Sequence, residues 1–189
     1  MDNYPRIIAV TAPSRRSGKG TISSLLAREY GYTACSYAVP IKTMFIALCM
    51  HQGVDPTYYQ RILDGDMKET PVVGPLSLRS FAEGVGTTWG RNMIDERLWV
   101  DIASQKINKL LDQGHRVVID DTRFANEAAL ARELGGEVWS VRRPIVNGGF
   151  APTLASEGHM LNYDFDWVFP NIGSVVDLEG QVRRYMGAR

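Results

Sequence analysis

Residues 7–21 read IIAVTAPSRRSGKGT: an apolar run, a short loop of small and basic residues, then the first turn of a helical pattern. The run from Arg6 to Thr11 alternates too little to be half exposed, so it predicts a strand buried on both faces, as in a parallel sheet. From Lys19 to Tyr30, Ile22, Leu25, Leu26 and Tyr30 recur at helical spacing, and Gly31 supplies the stop. A buried strand that feeds a helix through Ser14, Arg16, Ser17 and Gly18 converges backbone N–H groups on the positive end of the helix dipole. Lys19 adds a full charge at the same place. Such a loop suits a chain of phosphates. Its spacing follows G-x-x-x-x-G-K-[ST], in which the lysine reaches the β/γ-phosphates of a nucleotide such as ATP and the hydroxyl ligates Mg²⁺.

Two positions depart from that pattern. Gly20 stands where the hydroxyl belongs, so either Gly20 takes the metal-side place or Thr21 serves from one residue further on. Pro13 replaces the first glycine; it has no N–H and holds φ near about −65°, so the start of the loop must bind less or turn differently. Arg15 and Arg16 are either a solvated basic patch or a contact to nucleotide or substrate.

The rest of the chain alternates strand and helix. Thr33 to Tyr37 predicts a second strand, and Pro40 opens a helix through Met50, because proline suits a first turn whose N–H groups lack partners. His51 to Pro75 is polar and marked by Gly and Pro, with a short helix at Pro56 to Leu63, and reads as an insertion or flap around 51–76. A helix follows over Leu78 to Val85. A stripe of Leu98, Ile102, Ile107, Leu110 and Leu111 then runs up to Gly114. His115 to Asp121 is a third strand, Asn126 to Leu134 a helix, Glu137 to Arg142 a fourth strand, Trp167 to Phe169 a fifth and Val175 to Tyr185 a last helix. The Gly- and Pro-rich stretch around 144–162 reads as a mobile loop. Strand–helix alternation behind a phosphate loop implies a three-layer α/β fold in one domain, 1–189.

Ligands of open parallel sheets collect at the carboxyl ends of strands. Asp120 and Asp121 end the third strand there, where an acid holds Mg²⁺ or its water, meets a second substrate, or caps the next helix as a turn aspartate. Arg142 and Arg143 end the fourth strand, within reach of phosphates that gain charge during transfer, or else they bridge to Asp or Glu.

Composition narrows the class. The 189 residues are 44% hydrophobic, enough for one sizeable core, and the formal net charge is zero, which gives no bulk basic footprint for nucleic acid. Cys35 and Cys49 lack CxxC spacing and sit in apolar surroundings, predicting buried thiols in a reducing compartment. The opening MDNYPR lacks a basic region followed by an apolar stretch, and no window approaches about 18 uninterrupted apolar residues. A cytoplasmic protein with no membrane partner is expected.

Beyond the loop, the order of several blocks is informative: YAVPIK at 37–42, LRSFAEGVGT then RLWV between 78 and 100, VIDDTR then NEAALARELGG between 118 and 136, VRRP at 141–144, ASE at 155–157 and NIGSVVDL at 171–178. Together with SRRSGKGT at 14–21 they resemble the deoxynucleoside monophosphate kinases of tailed phages, a branch of the P-loop kinases, over nearly the whole chain. The resemblance implies a three-layer P-loop kinase fold around a central, mostly parallel five-stranded sheet. It implies ATP and Mg²⁺ on Gly18, Lys19, Gly20 and Thr21. It sets Arg79, Gly86 and Thr87 along an acceptor deoxynucleotide, Trp99 near its base, and matches Asp121 and Arg123 to a DTR block, Arg143 to an RP arginine and Glu157 to a loop glutamate. Lys19, Asp121 and Arg143 are the catalytic candidates, Thr21 and Asp121 the metal-side ones, and Arg91 is a further candidate for the acceptor phosphate.

Independent chemistry agrees in part, since arginine forks pair with phosphate oxygens and a base needs an aromatic face. A tryptophan on an apolar stripe is also ordinary core. Glu83 stands where the family has Gln, and Leu154 replaces a histidine before ASE, so the changes fall on acceptor-side blocks. The implied activity is phosphorylation of a deoxynucleoside monophosphate in the cytoplasm of a phage-infected cell, with homodimer formation left open. The alternatives are a DNA-modification kinase acting on the hydroxymethyl group of 5-hydroxymethyluracil in DNA, and a regulator that holds ATP without transferring phosphate.

Overall fold

The computed structural model describes residues 4–14, 16–143 and 159–188. Strands β1 Ile7–Thr11, β2 Tyr32–Cys35, β3 Arg116–Thr122, β4 Glu137–Arg142 and β5 Trp167–Pro170 form one sheet. The helices are α1 Lys19–Tyr30, α2 Val39–His51, α3 Tyr59–Leu63, α4 Leu78–Glu83, α5 Leu98–Asp112, α6 Ala125–Glu133 and α7 Val175–Gly187. The sheet order is β2-β3-β1-β4-β5 and every pairing is parallel. Leaving β1, the chain crosses to β2 at one edge, returns to β3 beside β1, and then passes over β1 to β4. The central strand is therefore the point where the winding reverses, and its carboxyl end is where a ligand crevice belongs.

Burial explains why β1 takes the centre. All five of its residues are buried, a pattern that only a strand paired on both edges and covered on both faces satisfies. Ile8 and Val10 pack with Ile22, Leu25 and Leu26 of α1 and with Leu178, Val182 and Met186 of α7. Ile7 and Ala9 point by strand alternation to the other face, and α6, with Ala128, Leu130 and Ala131 buried, packs against β1 and β4. Each fully buried aliphatic side chain contributes about 1.5–3 kcal/mol, so these layers hold the end of β1 firmly.

The chain falls into two compact units, Met1–Ser36 with Val100–Arg189, and Tyr37–Trp99. The first holds the sheet, α1, α6, α7 and most of α5. The second is a helical unit with its own core of Phe45, Cys49, Ile62 and Leu78, around which Val54, Tyr59, Met67 and Phe81 pack. The 51–76 segment lies inside it.

Pro40 falls in the first turn of α2 as expected, and Ser77 caps α4 by accepting the Ser80 N–H at 3.2 Å. The sequence predicts that this helix ends at Val85. Instead the helical path continues from α4 into a π-helical segment, Gly84–Ile94, closed by the Asp95 N–H donating to the Gly90 carbonyl at 2.9 Å. Packing accounts for it: the Trp99 indole occupies the space where a Gly90 side chain would stand, at 2.5 Å from an added Cβ. Its Nε1–H donates to the Gly86 carbonyl at 2.8 Å.

Candidate phosphate-binding site

The loop between β1 and α1 is held from within by its serines. Ser17, 1% exposed, donates its hydroxyl to the Ser14 carbonyl at 2.7 Å, and the two hydroxyls lie 3.1 Å apart. Arg16 adopts φ +54° and Gly18 φ +107°, left-handed conformations of the kind that turn successive N–H groups into an anion-binding concavity. Only glycine fits at 18: a Cβ there would stand 2.7 Å from Leu178 Cδ2 and 2.8 Å from Asn171 Nδ2. Helix α1 then starts at Lys19 with no side-chain cap and no acidic residue in its first turn. Its amino end thus keeps its positive field. Arg16, Ser17, Gly18, Lys19, Gly20, Thr21 and Asp120 line one open cleft of about 380 Å³.

Strand pairing brings the acid into that cleft. Ala9 pairs with Ile119 but Thr11 pairs with Thr122, so Val10 alone faces both Asp120 and Asp121: β3 carries a bulge at its acidic end. Bulges interrupt alternation and re-aim side chains. Here Asp120 lines the phosphate cleft, while Asp121 accepts the Ser36 hydroxyl at 2.6 Å. Of the two acids, the one that shares the cleft with Thr21 is therefore Asp120, whereas the family resemblance sets Asp121 on the metal side.

The donor chemistry fits Mg²⁺. Thr21 and Asp120 offer hard oxygens beside Lys19, and among the described residues no group of three or more His, Cys, Asp or Glu could hold a metal by itself. Magnesium is commonly held in this way, by one or two side chains with substrate phosphates and water.

The remaining candidates fall in several places. Arg143, exposed at the end of β4, donates to the Arg16 carbonyl at 3.5 Å. The Arg123 backbone N–H donates to Glu127 at 2.7 Å; Glu127, buried, also accepts the Phe124 N–H at 3.2 Å and so caps α6. Arg79, Gly86, Thr87, Arg91 and Trp99 belong to the second unit. There Arg79 pairs with Glu69 at 3.1 Å, Arg91 donates to the Glu96 carbonyl at 2.9 Å, and Trp99 is 4% exposed, with the more exposed Trp89 ring 6.3 Å away. Glu157, Leu154, Arg15 and most of the 144–162 loop lie outside the described residues. Ser36 lies outside the sequence blocks and Asn171 opens the 171–178 block without an assigned role; Ser36 donates to Asp121, and Asn171 donates from Nδ2 to the Ser17 carbonyl at 2.8 Å.

No protein-family model matches the chain. Over 58 residues it is 43% identical to the deoxynucleoside-5′-monophosphate kinase of Escherichia phage T5. That relative is a kinase. The match covers 31% of this chain and 22% of the relative, so it spans about a fifth of that protein's length. Among solved structures, a sugar kinase from Janibacter aligns over 97% of this chain and 95% of its own, with TM-score 0.47 and 15% identity. An APS kinase variant from Mycobacterium tuberculosis aligns over 98% and 99%, with TM-score 0.45 and 16% identity. Dephospho-CoA kinase from Campylobacter jejuni aligns over 97% and 96%, with TM-score 0.44 and 14% identity. The architecture of this chain is α/β, with a five-stranded parallel sheet between helical layers. Among the described residues no helix is long and apolar enough to cross a membrane.

Proposed function

We propose that the chain is an ATP-dependent kinase that moves the γ-phosphoryl group to the 5′-phosphate of a deoxynucleoside monophosphate, giving the diphosphate and ADP. The observation that carries this reading is the cleft at the carboxyl end of β1, where loop amides, the amino end of α1, Lys19, Thr21 and Asp120 line one space. The partial similarity to a phage deoxynucleoside monophosphate kinase supports the choice of acceptor.

In this reading Ser14, Arg16, Ser17, Gly18, Lys19, Gly20 and Thr21 bind the triphosphate, and Thr21 with Asp120 or Asp121 holds Mg²⁺, which neutralises phosphate charge when bound. Arg143 stands by for the transferred group. Arg79, Gly86, Thr87, Arg91, Trp99, Arg123 and Glu157 serve the acceptor. A bond forms between an acceptor phosphate oxygen and the γ-phosphorus while the bond to the β–γ bridging oxygen breaks. The attacking oxygen is already ionised, so no strong base is required, and catalysis is positioning with charge stabilisation.

Labelled ATP offered with dTMP, dGMP, dCMP and DNA containing 5-hydroxymethyluracil tests the reading. Label in a free diphosphate is the expected result, and Lys19→Ala should abolish it while the protein stays folded. Label in the DNA would transfer the chain to the DNA-modification alternative. Any labelled product ends the third reading, a regulator that holds ATP without transferring phosphate.

A further inference from the structure

Asn171 lies 154 residues from Ser17 in sequence, yet it is buried against the phosphate loop, 7% exposed, with Nδ2 donating to the Ser17 carbonyl oxygen at 2.8 Å. Its place is set independently of that bond. The Asn171 backbone N–H donates to the Arg142 carbonyl at 2.8 Å at the end of β4. The turn that follows is braced by Ser174 and Asp177, each accepting the other's N–H at 3.2 and 2.8 Å, and by Gln181 donating to the Pro170 carbonyl at 2.9 Å. Leu178 from the same block packs where a Gly18 side chain would be.

The Ser17 carbonyl and the Gly18 N–H belong to one planar trans peptide and so point in opposite directions. Tying the carbonyl to Asn171 turns the N–H away from Asn171, and Gly18 lines the cleft while Asn171 does not. This peptide is a place where orientation needs holding. Gly18 sits at φ +107°, and glycine passes between positive and negative φ with little penalty. A flipped peptide would present a carbonyl oxygen to an incoming phosphate in place of a donor.

We propose that Asn171 is a positioning residue that locks the Ser17–Gly18 peptide with its N–H toward the cleft and thereby keeps the loop receptive to anions. This rests on the phosphate-site reading above. The NIGSVVDL block then acts as one brace, in which Asn171 holds the peptide, Ser174 and Asp177 hold the turn that carries Asn171, and Leu178 closes the space beside Gly18.

Inorganic tripolyphosphate is the probe. In ¹⁵N–¹H spectra of the wild-type protein the Gly18 amide should shift on saturation, together with those of Lys19 to Thr21. N171A and N171D, checked for folding by thermal melting, should each bind the probe about 10-fold or more weakly, the scale of one hydrogen bond to a charged group. N171D should be the worse of the two although it is nearer in size, because a carboxylate accepts where the amide donated and repels the Ser17 carbonyl. A carboxylate at 171 also repels the probe directly, so the neutral variant decides: N171A that melts as wild type and binds tripolyphosphate as tightly as wild type would overturn the lock. So would a Gly18 amide that stays unmoved while its neighbours shift, a measurement that needs no variant to fold. Failure of the wild-type chain to bind tripolyphosphate at all would remove the phosphate site itself, whereas binding without the Asn171 effects removes only the lock.

Discussion

Ser36, the first residue beyond β2, donates its hydroxyl to Asp121 Oδ2 at 2.6 Å, so the end of an edge strand fixes a carboxylate on its neighbour. With the β3 bulge, this gives two consecutive acids different surroundings: Asp120 faces the phosphate cleft and Asp121 is tied sideways. Ser36→Ala should cost about 1–2 kcal/mol, one hydrogen bond to a charged acceptor, seen as a melting temperature lower by a few degrees. Asp121→Asn keeps an oxygen for Ser36 and should melt within about 2 °C of wild type. If the carboxylate charge orders the acceptor, as proposed, its phosphoryl transfer should nonetheless fall at least about 10-fold. Melting curves paired with a labelled-transfer assay separate the two effects.

Gly18 and Gly20 are two residues apart and should respond in opposite ways. At Gly18 an alanine meets both a left-handed φ and two groups closer than 3.0 Å, so Gly18→Ala should lose about 2–4 kcal/mol from backbone strain and overpacking together. At Gly20 nothing stands within 4 Å of an added Cβ, and alanine favours the first turn of α1 over glycine by up to about 1 kcal/mol. Gly20→Ala should therefore melt at or above the wild-type temperature. If Thr21 is the metal-side hydroxyl, Thr21→Val should raise the Mg²⁺ concentration needed for nucleotide binding while Gly20→Ala leaves it unchanged. Calorimetric titration of nucleotide at several Mg²⁺ concentrations reads this directly.

What could be read ahead of the structure was whatever a short stretch of chain decides for itself. Helix α1 begins at Lys19 and stops at Tyr30 as its pattern predicts, because the apolar stripe and the left-handed Gly31 are local signals. Strand β4 matches Glu137–Arg142 for the same reason. The π-helical segment Gly84–Ile94 was not legible: Gly84, Gly86 and Gly90 argue against any long helix, and it takes the indole of Trp99 seated on Gly90 to favour one. The β3 bulge is a property of pairing between β1 and β3, and neither strand carries it alone. Asn171 was visible within a block but not in its role, since its partner Ser17 is 154 residues away.

Acid should loosen the packing of α1 on α7 through Glu29. Arg183 donates to both Glu29 oxygens at 2.8 Å, Arg28 bonds Glu29 at 3.0 Å, and Glu179 takes both arginines. These bonds, Arg183 first and Arg28 second, lower the Glu29 carboxyl from 4.5 to about 2. A carboxyl depressed in the folded state stabilises fully above its unfolded value, and that contribution drains away as pH falls from about 4.5 through about 2. Glu29→Gln should flatten the fall in melting temperature over this window relative to wild type. The network is exposed, so the difference between the two proteins should shrink in 1 M salt, where the Debye length is about 3 Å.

Thr122 ends β3 directly after Asp121, paired with Thr11 at the entrance to the phosphate loop. It is 1% exposed, and its hydroxyl has no hydrogen-bond partner among the described residues. An unsatisfied buried hydroxyl costs about 1–3 kcal/mol of desolvation, which a side chain of the same shape without the oxygen does not incur. Thr122→Val should therefore raise stability by about 1 kcal/mol or more, about 2–4 °C in melting temperature for a chain of this length. Valine keeps the β-branched shape and strand preference, so the pairing that aims Asp120 and Asp121 should persist and nucleotide affinity should stay within about twofold. If the variant instead melts several degrees lower, the hydroxyl is satisfied in solution by a buried water, which such a polar pocket accommodates only when it offers two or more further partners. Melting curves of the wild-type and valine proteins, with and without saturating nucleotide, decide between the two.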